Sequence, residues 1–139
     1  MKKWCFIAST VLSVGLVACS KAPVQQQPES QVTVRNDAEA HDVQVFWTAT
    51  GCSGMDTQHG AGDVCHQESI GGKQSSTYTF EKGTTGRTVL IYRPASYCAL
   101  VGGGDLTDLQ VQGNETLRTD GCMLQKDATQ SSMLSPSTR

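Results

Sequence analysis

Residues 43–50 read Val-Gln-Val-Phe-Trp-Thr-Ala-Thr and form the clearest strand pattern in the chain. Apolar side chains occupy every second position, at Val43, Val45, Trp47 and Ala49. This period of two indicates a β-strand with one face in a core. Phe46 adds an apolar side chain on the opposite face. We therefore expect a central strand that is half-buried on both faces.

Shorter strand patterns flank this stretch and are separated by turn residues. They lie around Val32 and Val34 and at residues 76–80, 88–92, 97–101, 106–112 and 116–118. Residues 82–86, Lys-Gly-Thr-Thr-Gly, predict a hairpin between the strands on either side of them. Glycines at 71–72 and 102–104 and the pair at 113–114 predict further turns.

About seven short strands at regular spacing are typical of a sandwich or a small barrel. No stretch after Cys19 has a helical stripe. We predict an all-β fold, a small antiparallel β-sandwich of the immunoglobulin-like or Greek-key kind. The Cys, Trp, Cys order of true immunoglobulin domains is missing, because Trp47 precedes every candidate disulfide cysteine. No narrower fold family follows.

Length and charge limit the classes of function. The 139 residues suffice for one domain with a modest core. The chain has 11 basic and 13 acidic residues, and losing Lys2 and Lys3 with a leader changes the net charge from −2 to −4. Such a balance offers nothing to attract nucleic acid. We expect no nucleic-acid partner.

The first eighteen residues have the anatomy of an export signal. Lys2 and Lys3 give a positive start, and an apolar stretch follows from Cys5 to Val17. This stretch is shorter than the roughly 20 apolar residues that a permanent membrane helix needs. We therefore expect residues 1–18 to be removed as a signal peptide.

The signal ends in Leu16-Val17-Ala18-Cys19, which resembles the lipobox of bacterial lipoproteins. This resemblance implies that the Cys19 sulfur takes a diacylglycerol, that cleavage occurs before Cys19, and that the lipid holds the domain on a membrane. Ser20 follows, and a residue other than Asp there resembles the pattern that permits transfer to the outer membrane. The expected location is the outer membrane, with the domain in the periplasm.

The mature chain divides into three parts. Residues 19–31 carry the lipid site and a polar stretch interrupted by Pro23 and Pro28, which is typical of a flexible tether. Residues 32–126 contain all the strand patterns and form the expected sandwich domain. Residues 127–139 are rich in Ser, Thr and Gln, and we expect a disordered tail.

Four cysteines remain in the domain, at positions 52, 65, 98 and 122. An even number in an exported chain predicts two disulfides. We favour the pairing of neighbours, Cys52 with Cys65 and Cys98 with Cys122, although the other two pairings stay open. A zinc site built by Cys52, His59, Cys65 and His66 is the alternative. Exported cysteines are oxidised, so we expect no metal and no cofactor.

No pattern in the chain is typical of an active site. The sequence lacks a Gly-x-Ser-x-Gly elbow and a His-Glu-x-x-His pair, and Asp56 and Asp63 are expected to be solvated loop charges. We expect no catalytic residues. The candidate partner contact is the loop at residues 51–66, where we expect Met55 and His59 to be exposed. The alternative is that this loop is only a solvated connection.

A tether, a small rigid domain and no visible chemistry favour a non-enzymatic function. The first hypothesis is a lipid-anchored accessory subunit of a periplasmic or outer-membrane assembly, such as a secretion system, which binds an envelope protein. The second hypothesis is a module that captures a small protein or ligand, for example a lysozyme inhibitor. An enzyme ranks third, because no catalytic groups converge in the sequence.

Overall fold

The computed structural model describes residues 27–94, 96–98 and 104–128. Among these residues no helix has the length and apolarity needed to cross a membrane. The expected signal peptide, Cys19, residues 20–26 of the expected tether, residues 129–139 of the expected tail and residues 99–103 lie outside the described ranges. The described strands are β1 Ser30–Asn36, β2 Val43–Thr50, β3 Gly54–Met55, β4 Asp63–Ile70, β5 Ser75–Phe80, β6 Thr85–Arg93, β7 Asp105–Gln110, β8 Glu115–Thr119 and β9 Leu124–Lys126.

The strands form two sheets that pack together as a small β-sandwich, so the predicted all-β class is confirmed. One sheet has the order β5-β1-β8-β9, and the other has the order β3-β4-β2-β6-β7. β4 lies against β5 and β7 lies against β9, where the edges of the two sheets meet. Every pairing is antiparallel except β1 with β8, which is parallel. The sandwich is thus antiparallel as predicted, apart from this one parallel pair.

The main core lies between the sheets and is centred on β2. Its four alternate apolar residues are buried as the period of two predicted, and Trp47 has no exposed surface. Phe46 is also buried, on the outer face of the same strand, so β2 is covered on both faces as expected. The buried residues of the main core are Val32, Val34, Val43, Val45, Trp47, Ala49, Ile70, Phe80, Val89, Ile91, Val111, Leu117 and Leu124.

The predicted hairpin at residues 82–86 is wrong. β5 pairs with β1 in one sheet, whereas β6 pairs with β2 and β7 in the other. The connection is therefore a crossover between sheets. Gly83 has φ +88° and Gly86 has φ +62°, a conformation that favours glycine and reverses the chain in either kind of connection.

Several strands also differ from the sequence prediction. Tyr97 lies in a turn, so no strand begins there. β3, β4 and β9 were not predicted as strands. β1 begins at Ser30, two residues before the expected start of the domain. Arg87 explains this early start, because its buried guanidinium donates hydrogen bonds to the Pro28 carbonyl and the Ser30 hydroxyl and so fixes the entering chain.

Asn36 is a fully buried polar residue at the end of β1. Its side-chain Nδ2 donates hydrogen bonds to the carbonyl oxygens of His41 at 2.7 Å and Ile70 at 2.9 Å. Its Oδ1 accepts a hydrogen bond from the Ala38 backbone N–H at 3.0 Å. One amide therefore joins the end of β1, the connection to β2 and the end of β4. A buried polar group is stable only when its hydrogen bonds are made in this way.

Two disulfides join Cys52 to Cys65 and Cys98 to Cys122, with Cα–Cα distances of 4.9 and 5.6 Å. The favoured pairing of neighbours is confirmed. The first bond closes the base of the β3–β4 hairpin. The second bond ties residues 96–98 to the turn between β8 and β9.

Candidate functional site

The candidate contact region, residues 51–66, is a folded hairpin and not an open loop. β3 pairs with the start of β4, so that Gly54 lies opposite Val64 and Met55 opposite Asp63. A Cβ at position 54 would collide with the Val64 carbonyl oxygen, which makes glycine necessary for this close approach. The Cys52–Cys65 bond and this short pairing together fix the base of the segment. We call residues 51–66 the disulfide hairpin.

Asp56 organises the tip of the disulfide hairpin. Its carboxylate accepts hydrogen bonds from the backbone N–H groups of Gln58 at 3.2 Å, His59 at 2.9 Å and Ala61 at 3.3 Å. Burial alone raises the pKa of this carboxyl, but the three backbone donors outweigh burial, so the pKa lies below its ordinary value. Asp56 is therefore a charged cap for the turn, and the expectation of a merely solvated loop charge is wrong.

His59 folds back onto the outer face of the five-stranded sheet. Its ring centroid lies 4.3 Å from that of Tyr92 and 5.4 Å from that of Phe46, and its Nδ1 lies 3.3 Å from Asp56. Only 12% of its side chain is exposed. The expected exposure of His59 is therefore wrong, because Phe46 and Tyr92 form an apolar patch that the hairpin tip covers. This second, smaller core holds the tip of the hairpin against the outer face of the sheet.

Met55 is exposed as expected. Its relative exposure is 80%, the larger value of the two exposed large apolar residues in the described chain, the other being Met123 at 61%. Met55 lies on β3 at the edge of its sheet, between the disulfide at Cys52 and the turn that Asp56 caps. An apolar side chain is thus presented to solvent on a stiff base. Its role as a partner contact stays a prediction.

A groove of 330 Å³ runs beside the Cys52–Cys65 bond, between the disulfide hairpin and the end of β5. Tyr78 and Phe80 supply aromatic surface, and Glu81 is the carboxylate in its wall. The other lining residues are Thr50, Gly51, Cys52, Ser53, Gly54, Val64, Cys65 and Thr84. No histidine lines this groove. The surface is suited to contacts with hydroxyl groups and with an aromatic or apolar side chain.

The zinc alternative does not fit the hairpin. Cys52 and Cys65 use both sulfurs in their disulfide, so neither is a thiolate that a metal could bind. The two histidines lie apart in separate aromatic contacts, since His66 stacks on Tyr78 and His59 packs on Tyr92. Within the described ranges no group of three or more His, Cys, Asp or Glu side chains is placed to hold a metal ion.

Of the two predicted contact residues, Met55 lies at the surface and His59 is largely buried under the hairpin tip. Sequence reasoning missed Asp56 and the groove at Tyr78. An Asp followed by polar and glycine residues is a signal for a side-chain cap of a turn, and this signal was present at Asp56. The groove left no such signal, because it depends on the approach of two sheet edges.

In comparisons with protein-family models, with curated proteins and with solved structures, nothing matches this chain.

Proposed function

We propose that this chain is a non-enzymatic, lipid-anchored envelope protein that binds a protein partner through the disulfide hairpin. The lipid is the one expected at Cys19, and the expected site of action is the periplasmic face of the outer membrane. The observation that carries the proposal is the 80% exposure of Met55 on a segment held by a disulfide, a cap and a small core. Methionine is enriched in protein interfaces, and a rigid base reduces the entropy lost on binding.

Met55→Glu is expected to reduce recovery of the partner at least about tenfold, because it places a charge in the centre of the contact. The measurement is affinity purification of the tagged full chain from cross-linked envelope membranes. Met123→Glu is the matched control, since Met123 is also an exposed methionine but lies far along the chain, beside the second disulfide. Equal recovery of the same partner by both variants, or no partner with the wild-type chain, contradicts the proposal.

The groove beside the disulfide favours a second candidate, the capture of a small ligand or of a segment of a small protein such as lysozyme. Its aromatic and hydroxyl lining and its 330 Å³ volume are of the kind that holds a small group. Inhibition of lysozyme by the purified full chain tests the specific form of this candidate. Inhibition that Thr84→Lys, a substitution within the groove wall, abolishes and Met55→Glu leaves unchanged would place this function before the first.

A further inference from the structure

β5 is an edge strand of its sheet, and its own sequence lacks the features that usually protect an edge. It forms one side of its sheet, and among the described strands it pairs only with β1. Its sequence, Ser-Ser-Thr-Tyr-Thr-Phe, has no charge and no proline, and it runs without a bulge over six residues. Natural sheets protect edges of this length with lysines, prolines, bulges or covering segments. In the part of the chain that the structure describes, β5 has no lysine, proline or bulge and no second strand paired to it, and such an edge is suited to pairing with another strand.

The backbone groups that face the open side of β5 follow from its pairing with β1. The Asn36 N–H donates to the Gln74 carbonyl at 2.8 Å, so the Gln74 carbonyl faces β1. Because backbone groups alternate in direction along a strand, Ser76, Tyr78 and Phe80 also face β1. The N–H and C=O groups of Ser75, Thr77 and Thr79 therefore face away from the sheet.

We propose that two copies of this chain pair through β5, in antiparallel register about a two-fold axis at Thr77. This register places Thr77 opposite Thr77 of the second copy, and Ser75 opposite Thr79 of the second copy. Each of these residues has outward backbone groups, so the ladder of hydrogen bonds is complete on both sides of the axis. The interface adjoins the disulfide hairpin at its last residue, His66, which stacks on Tyr78 of β5. The pairing itself uses the backbone of β5 and does not depend on the proposed function.

The side chains around the axis are compatible with a second copy. On the outer face Ser75, Thr77 and Thr79 are exposed and uncharged, so no like charges meet where each strand faces its own copy. The Thr77 hydroxyl already lies 2.7 Å from that of Thr33, and the pairing extends this row of threonines across the axis.

The polar side chains of β4 that lie against β5 are also compatible with a second copy. Glu68 of β4 accepts a hydrogen bond from Ser76, and His66 of β4 stacks on Tyr78 at a centroid distance of 5.3 Å. The proposed register sets Ser76 opposite Tyr78 of the second copy. The Glu68 carboxylate of one copy thus faces the His66 imidazole of the other, and not another carboxylate. A contact that placed acid against acid would oppose association.

Thr77→Cys tests the register directly. Directly opposed residues in an antiparallel pair have Cα atoms about 5.5 Å apart, within the range that a disulfide can span. In the full chain, in its native membranes and under mild oxidation, Thr77→Cys is expected to give a covalent dimer on non-reducing gels. Thr33→Cys is the matched control, because Thr33 shares the face but lies one strand further from the axis. Equal dimer yields from the two variants, or none from Thr77→Cys, overturn the proposal.

A second measurement does not depend on introduced thiols. Sedimentation of the wild-type full chain in nonionic detergent is expected to show a concentration-dependent dimer. Thr77→Lys is expected to raise its dissociation constant at least about tenfold, because two lysines then meet at the axis. Thr33→Lys is expected to leave the dimer unchanged. A wild-type chain that stays monomeric at every concentration, or a dimer that Thr77→Lys does not weaken, overturns the pairing through β5.

Discussion

Asn36→Asp is expected to lower the free energy of unfolding by about 4 kcal/mol. The wild-type amide donates to the carbonyls of His41 and Ile70 and is fully buried. A carboxylate of the same shape has no donor to replace these hydrogen bonds, and it faces the two carbonyl oxygens with a negative charge. Each unsatisfied buried acceptor costs about 1–3 kcal/mol, and the buried charge adds to this cost. Urea unfolding of the full chain measures the loss.

Asn114→Asp is the matched control for this prediction. The Asn114 side-chain Oδ1 accepts a hydrogen bond from the Gln31 N–H at 2.8 Å in an exposed position. A carboxylate keeps that acceptor, so the expected change in stability is below about 0.5 kcal/mol, as for other surface substitutions. A loss below about 1 kcal/mol at Asn36, or equal losses at both sites, would refute the role given to the buried amide.

Removal of either disulfide is expected to cost about 3 kcal/mol, because each bond restricts the unfolded chain. The Cys52–Cys65 bond spans 13 residues and the Cys98–Cys122 bond spans 24, so the second is expected to contribute slightly more, about 3.5 kcal/mol. Two double variants test this, Cys52→Ser with Cys65→Ser and Cys98→Ser with Cys122→Ser. Urea unfolding of each full chain gives the two losses.

The two double variants are expected to differ in partner binding although they are similar in stability. Loss of the Cys52–Cys65 bond frees the base of the disulfide hairpin and should reduce recovery of the partner. Loss of the Cys98–Cys122 bond leaves the hairpin intact, because that bond lies at the β8–β9 turn. Equal losses of partner recovery in both variants would show that the hairpin has no special part in binding.

The central strand of the fold was predictable because apolar residues occupy every second position along it. The alternation from Val43 to Ala49 predicts which side chains of β2 enter the core. The apolar Phe46 predicts that the other face of β2 is also covered by packed residues. The disulfide pairing was predicted from the expected export of the chain and from the spacing of its cysteines. These signals are local or depend only on composition, so a single sequence contains them.

The incorrect predictions concern which strands pair with each other, and this depends on segments that are far apart in the chain. The glycines near Thr84 reverse the chain whether the next strand joins the same sheet or the opposite one, so the crossover looked like a hairpin. β4 lies between β2 and the short edge strand β3, and its polar residues from His66 to Ser69 break the apolar alternation that would have predicted a strand. The parallel pairing of β1 with β8 joins segments far apart in the chain, which no local pattern records.

In the candidate site, too, the local feature was predicted correctly and the feature that depends on distant residues was not. Exposure of Met55 was predictable from a polar, glycine-rich segment. Burial of His59 was not, because it depends on the apolar patch that Phe46 and Tyr92 form on the outer face of another part of the sheet. Loops are usually exposed, but a turn that is capped by its own aspartate can pack as a small core.

Incorporation of labelled palmitate in growing bacteria tests the central claim, that the lipid at Cys19 anchors this domain. The wild-type chain and Cys5→Ser are expected to take up the label, because Cys5 lies in the expected signal peptide and outside the Leu16-Val17-Ala18-Cys19 motif. Cys19→Ser is expected to take up none and to leave the membrane fraction. Label retained by Cys19→Ser, or absent from the wild-type chain, would contradict the anchor and with it the location assigned to the partner.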